Sequence, residues 1–199
     1  MNQRNIIAIL RGISPGEAAE IGGSLLGTGI TRIEVPLNSP EPLKSIEILS
    51  GIDGLEVGAG TVLTVQEVND VCAAGGTYIV SPNADPDVIR ATKKAGLGSY
   101  PGVFTATECF AALNAGADAL KIFPAFVLGP SGIKAVKAVL SDSTPLYAVG
   151  GVNEETLQSY RDAGCVGFGI GSNLYKPGVN AKDAATAASS FVAAYDALS

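Results

Sequence analysis

Residues 98–124 read GSYPGVFTATECFAALNAGADALKIFP: a β-rich run, a helix-like segment and a second β-rich run. The spacing predicts strands over Gly98 to Tyr100 and Ala119 to Phe123, joined by a helix that closes at Gly116. Outward from this unit the same order recurs roughly every 20 to 25 residues. Further strand candidates are Ile6 to Leu10, Arg32 to Val35, Glu56 to Gly60, Tyr78 to Ser81, Leu146 to Val149 and Gly167 to Ile170. The helix ending LNAG at 113–116 has counterparts in CAAG at 72–75, KKAG at 93–96 and RDAG at 161–164. Pro15 and Pro40 suit helix starts, Gly29 a further helix end, and Val65, Val68, Val71 and Cys72 keep helical spacing. Eight βα units in one stretch predict an α/β fold, a single compact (β/α)8 TIM barrel domain over 1–199. An open doubly wound sheet is the alternative, but no GxGxxG turn follows the first strand.

Composition narrows the chemistry. With 47% hydrophobic residues the chain has material for a large core, and its net charge of -6 disfavours a general nucleic-acid surface. The run Ile6 to Leu10 is too short for a signal-peptide apolar region, and no run reaches membrane-spanning length, so a cytoplasmic location is expected. Cys72, Cys109 and Cys165 are odd in number and far apart, which suggests buried free thiols rather than disulfides or a zinc site. Histidine is absent. That removes serine–histidine triads, imidazole metal sites and imidazole proton transfer.

Within ALKIFP at 119–124, a strand period of two puts Ala119, Lys121 and Phe123 on one face and Leu120 and Ile122 on the other. A lysine flanked by buried residues is desolvated, which lowers its pKa and makes a nucleophilic amine able to form a Schiff base. Barrel chemistry sits at the C-terminal ends of the strands. Besides Lys121, three polar residues meet that condition: Arg11, which shares a face with Ile7 and Ile9; Glu34, pointing inward between Ile33 and Val35; and Thr61, read as sharing an inward face with Val57 and Ala59. Each has a plainer explanation. Arg11 fits a surface arginine, Glu34 fits pairing with Arg32 or Lys121, and Thr61 fits a helix cap. Together they fit amine attack on a ketone, a carboxylate that shuttles protons, and groups that hold a substrate carboxylate. Gly150 and Gly151 follow the seventh strand and Gly169, Gly171 and Ser172 the eighth, the two junctions where this barrel commonly holds phosphate.

The segments IIAILRGI, RIEVPLNSP, VGAGTV, IVSPN, ALKIFPA, GPSGIKAVKAVL, AVGGV and GIGSNLY resemble, in order and over nearly the whole chain, the class I 2-keto-3-deoxy-6-phosphogluconate and 6-phosphogalactonate aldolases. The resemblance implies that Lys121 is the Schiff-base lysine and Glu34 the general acid/base. Arg11, Thr61 and Phe123 would line the pyruvate and substrate pocket, and Gly151, Gly171 and Ser172 would hold phosphate. It also implies a homotrimer with no metal and no cofactor, acting on a phosphorylated 2-keto-3-deoxy sugar acid to give pyruvate and glyceraldehyde 3-phosphate. The gluconate branch reads TLRT after the glutamate and TGG after the seventh strand; this chain reads PLNS and VGG, as the galactonate branch does, so Asn38 and Val149 carry that distinction. Phe104 stands where the family has a small residue. The remaining alternatives are the same cleavage of the gluconate epimer, a phosphosugar isomerase or epimerase, and a non-catalytic phosphosugar-binding module.

Overall fold

The computed structural model describes residues 4–199. Nine parallel strands, β1 (Ile6–Ile9), β2 (Arg32–Pro36), β3 (Glu56–Gly60), β4 (Tyr78–Val80), β5 (Gly98–Tyr100), β6 (Gly102–Val103), β7 (Leu120–Ile122), β8 (Leu146–Val149) and β9 (Gly167–Ile170), form one sheet in the order β5-β4-β3-β2-β1-β9-β8-β7-β6. The two strands at its ends, β5 and β6, are consecutive in the chain and separated only by Pro101. Proline has no N–H to give to a ladder, so the expected fifth strand is interrupted there. Its carbonyls still bridge the gap: Ser99, Pro101 and Val103 accept from the N–H groups of Ala119 (3.3 Å), Lys121 (2.9 Å) and Phe123 (3.2 Å). The sheet therefore closes into the expected eight-unit barrel, with its fifth strand in two pieces.

The covering helices are α1 (Pro15–Gly27), α2 (Pro42–Ser50), α3 (Val65–Ala73), α4 (Pro86–Lys94), α5 (Ala106–Asn114), α6 (Ala125–Lys137), α7 (Leu157–Asp162) and α8 (Ala181–Asp196). At Gly29, Gly75, Gly96, Gly116 and Gly164 the backbone turns out of its helix with φ between 75 and 102°, a region that glycine enters without a steric penalty. Two local expectations are corrected. The second helix begins at Pro42, not Pro40: Glu41 is its N-cap and has a left-handed backbone with φ of 41°, so Pro40 lies before the helix, and Pro42 takes the first helical position, where an N–H has no partner anyway. Cys72 is exposed, whereas Cys109 and Cys165 are buried. Helix α3 turns Val68 and Val71 into the core, and Cys72, one residue further on, is rotated about 100° off that face.

Two apolar layers result. The larger lies between sheet and helices and takes Ile33, Val35, Val57 and Ala59; a smaller one fills the barrel with Ile7, Tyr78, Val80, Ala119 and Tyr147. The third strand is thus reversed relative to expectation: Val57 and Ala59 face the helices, and Gly58 and Gly60 face inward. Their lack of side chains makes room, since a methyl on Gly58 would overlap the Tyr78 ring and one on Gly60 the Glu34 carboxylate. At the N-terminal end of the barrel the Arg32 guanidinium lies 4.8 Å from the Tyr78 ring centre and 5.1 Å from that of Tyr100. It donates to the Tyr100 and Tyr147 hydroxyls and pairs with Glu56 at 3.2 Å. Cation, rings and carboxylate plug that end, leaving the other end open.

Candidate active site

At the C-terminal end of the strands lies a cavity of about 580 Å³. Ten of the anticipated residues line it: Arg11, Glu34 and Lys121, then Phe123, Val149 and Gly150, then Gly151, Gly169, Gly171 and Ser172. Thr61 does not, and its backbone has φ of 57°. Its inward placement depended on a face shared with Val57 and Ala59, which point to the helices, and the left-handed backbone at Thr61 ends the strand's alternation. Asn38 is also outside the lining but touches it indirectly, accepting a hydrogen bond of 2.6 Å from Arg11. Phe104 is outside the lining as well; its N–H donates to Glu108 in the cap of α5.

Lys121 is only 6% exposed, and its Nζ sits 4.7 Å from the centre of the Phe123 ring. Burial holds its pKa below the ordinary lysine value, with Glu34 opposing that shift and Arg11 adding to it. Glu34 is 2% exposed, and burial pushes its carboxyl above the usual carboxylate range against the pull of Lys121 and Arg11. Among the described residues Glu34 forms no ion pair, whereas Arg32 has Glu56. Burial thus shifts both groups toward their neutral forms, the direction that a nucleophilic amine and a proton-relaying carboxyl require.

The two glycine turns lie across the cavity. Gly150 and Gly151 have φ of 94 and 72°, and a methyl on Gly151 would come within 2.7 Å of Phe126 Cβ. After β9 the Gly171 carbonyl accepts from Leu174 and Tyr175 N–H at 2.8 and 3.0 Å, closing a helical turn. The N–H groups of Gly151, Ser172 and Asn173 donate to no protein acceptor among the described residues. They are free to meet an anion. The Asn173 side chain donates to the Val152 carbonyl at 2.8 Å and ties one turn to the other.

Sequence reasoning missed Gly60, whose missing side chain admits Glu34, and the stretch Asn173, Tyr175, Lys176 and Pro177, which supplies one wall of the cavity. The glycine pattern stops at Ser172, so nothing local marked that wall. The GAG at 58–60 did carry a signal, two glycines on one strand face.

Comparisons with known proteins bear on the family and the fold. The family model "KDPG and KHG aldolase" matches residues 1–189. A Rhizobium meliloti protein named probable 2-dehydro-3-deoxy-6-phosphogalactonate aldolase is 50% identical over 198 residues, 98% of this chain and 93% of its own length. The 2-dehydro-3-deoxy-6-phosphogalactonate aldolase of Escherichia coli is 46% identical, covering 96% and 94%. A solved structure described as native KDPGal superposes with a TM-score of 0.96 at 44% identity, over 98% of this chain and 96% of that one.

Proposed function

Because the chain belongs to the KDPG and KHG aldolase family, we propose that it cleaves 2-dehydro-3-deoxy-6-phosphogalactonate to pyruvate and D-glyceraldehyde 3-phosphate through a Schiff base on Lys121. It is an aldolase, an enzyme of the lyase class. The observation that carries the residue assignment is a buried amine with a depressed pKa sharing one cavity with a buried carboxylate whose pKa is raised.

The neutral amine of Lys121 attacks the C2 ketone, and loss of water from the carbinolamine leaves an iminium. Removal of the C4 hydroxyl proton breaks the C3–C4 bond, whose electrons flow into the iminium; the aldehyde departs and an enamine remains. Protonation at C3 and addition of water release pyruvate and restore the amine. Glu34 relays the protons, in the absence of histidine. Arg11, steadied by Asn38, holds the substrate carboxylate. The turns at Gly150 and Gly151 and at Gly171 and Ser172 hold the phosphate with backbone N–H groups and the serine hydroxyl.

Preference for the galactonate over the gluconate epimer is supported by the names of the relatives at 46 and 50% identity and by Val149 in the cavity wall. An isomerase or epimerase would draw on a carboxylate pair, and among the described residues Glu34 is the one carboxylate in the lining. The enzyme is also inferred to act in the cytoplasm as a homotrimer, without nucleic acid. No helix among the described residues is long and apolar enough to cross a membrane, and the exposed Phe126 and Val127 beside the cavity offer an apolar contact. The test is borohydride reduction with pyruvate, followed by peptide mapping and a rate comparison on the two epimeric phosphorylated acids. Label on Lys121 and faster cleavage of the galactonate epimer are expected; no label, or label elsewhere, overturns the mechanism.

A further inference from the structure

We propose that Lys176 is a specificity-determining residue that supplies the positive charge for the substrate's phosphate. The inference rests on the reading of the β8 and β9 turns as the phosphate site, and it adds a side chain that the Gly-rich pattern does not include. Three cations line the cavity, Arg11, Lys121 and Lys176, against one anion, Glu34. Arg11, steadied by Asn38, is assigned to the substrate carboxylate, and Lys121 must be neutral to attack a ketone. A phosphate carries about -1.5 to -2 charges near neutral pH, whereas backbone N–H groups present only partial charges. Of the lining side chains, Lys176 is left to balance the phosphate.

Its backbone is held in place for this. On one side Tyr175 is buried and its hydroxyl donates to Glu17 at 3.1 Å; Glu17 Oε1 also accepts from the backbone N–H and the hydroxyl of Ser14. On the other side Pro177 packs over Gly12, where a methyl would come within 2.6 Å of Pro177 Cγ. The Val179 N–H then returns to the Lys176 carbonyl at 3.0 Å. Lys176 thus projects from a segment clamped on one side to the first turn of α1 and on the other to the first βα loop, and among the described residues its ammonium has no ion-pair partner. An exposed ammonium with no protein carboxylate partner, carried on a held backbone in the cavity lining, is available to a ligand.

The test compares Lys176→Gln and Lys176→Arg with the parent enzyme on the phosphorylated substrate and on its unphosphorylated analogue, with inorganic phosphate as a competitive inhibitor. A partly solvated charge-assisted contact predicts a loss in kcat/KM of about 10-fold for Lys176→Gln on the phosphorylated substrate, mainly through KM. The inhibition constant for phosphate should rise by a similar factor, the dependence of kcat/KM on ionic strength should flatten, and Lys176→Arg should recover most of the loss. Unchanged kcat/KM on the phosphorylated substrate, or equal losses on both substrates, would overturn the proposal. Borohydride trapping of pyruvate, which bears no phosphate, tests the Schiff base separately in the parent enzyme.

Discussion

The carboxylate of Glu34 occupies the space that a side chain on Gly60 would fill: a methyl there would overlap Oε1. Gly60 lies in β3 and is not among the positions of positive φ, so alanine fits its backbone and the collision falls on the carboxylate alone. Gly60→Ala should fold and lose turnover by displacing Glu34. In a double-mutant cycle with Glu34→Gln the two losses should be far from additive. Additive losses would separate Gly60 from Glu34.

Lys121→Met keeps the length of the side chain and removes the amine. Activity and pyruvate labelling under borohydride should both vanish, while the melting temperature holds or rises, because an apolar group replaces a desolvated base. A labelled, active Lys121→Met protein would remove Lys121 from the chemistry.

Glu34→Gln should lower turnover by about 10²- to 10⁴-fold. The Glu34 charge favours the ammonium form of Lys121, so removing it depresses the lysine pKa further. Pyruvate labelling in Glu34→Gln should therefore persist to lower pH than in the parent. A midpoint moved upward, or turnover within about threefold of the parent, would contradict the assignment.

Stability should move the opposite way from activity. The folded pKa of Glu34 lies above its unfolded value because of burial. Below the ordinary carboxylate pKa both states bind the proton and the group is neutral in its effect. As pH rises through the raised folded pKa, the cost of the buried charge appears. The melting temperature of Glu34→Gln should match the parent near pH 4 and exceed it above that window; a variant less stable at pH 8 would show that the carboxylate holds the barrel together.

Gly151→Ala introduces a methyl at φ of 72°, 2.7 Å from Phe126 Cβ, while leaving Lys121 and Glu34 on other strands. It should depress kcat/KM on the phosphorylated substrate far more than on its unphosphorylated analogue, since binding energy at the remote phosphate helps position the reacting carbon. Equal losses in a folded variant would place the phosphate elsewhere.

What the chain states by itself is local. The βα recurrence, the glycine helix ends and most strand limits depend on neighbours in sequence, and Glu56–Gly60, Leu146–Val149 and Gly167–Ile170 were legible to the residue. Lys121 was legible too, because a lone ionisable group within an apolar run announces its own desolvation. The tertiary structure decided which face of a strand is inside. Alternation defines two faces but not their direction, and in β3 the apolar Val57 and Ala59 that look like a barrel interior pack under the helices, while Gly58 and Gly60 yield the interior to Tyr78 and Glu34. It also decided that Pro101 divides the fifth strand without opening the barrel, since the carbonyls that close the ladder accept from residues about 20 positions away. Asn38 reaches the site only through Arg11, 27 residues earlier, and Lys176 is placed by clamps to Gly12 and Glu17 at the far end of the chain. Contacts over such separations leave no periodic trace, because they depend on how the closed barrel brings the first and last βα loops together.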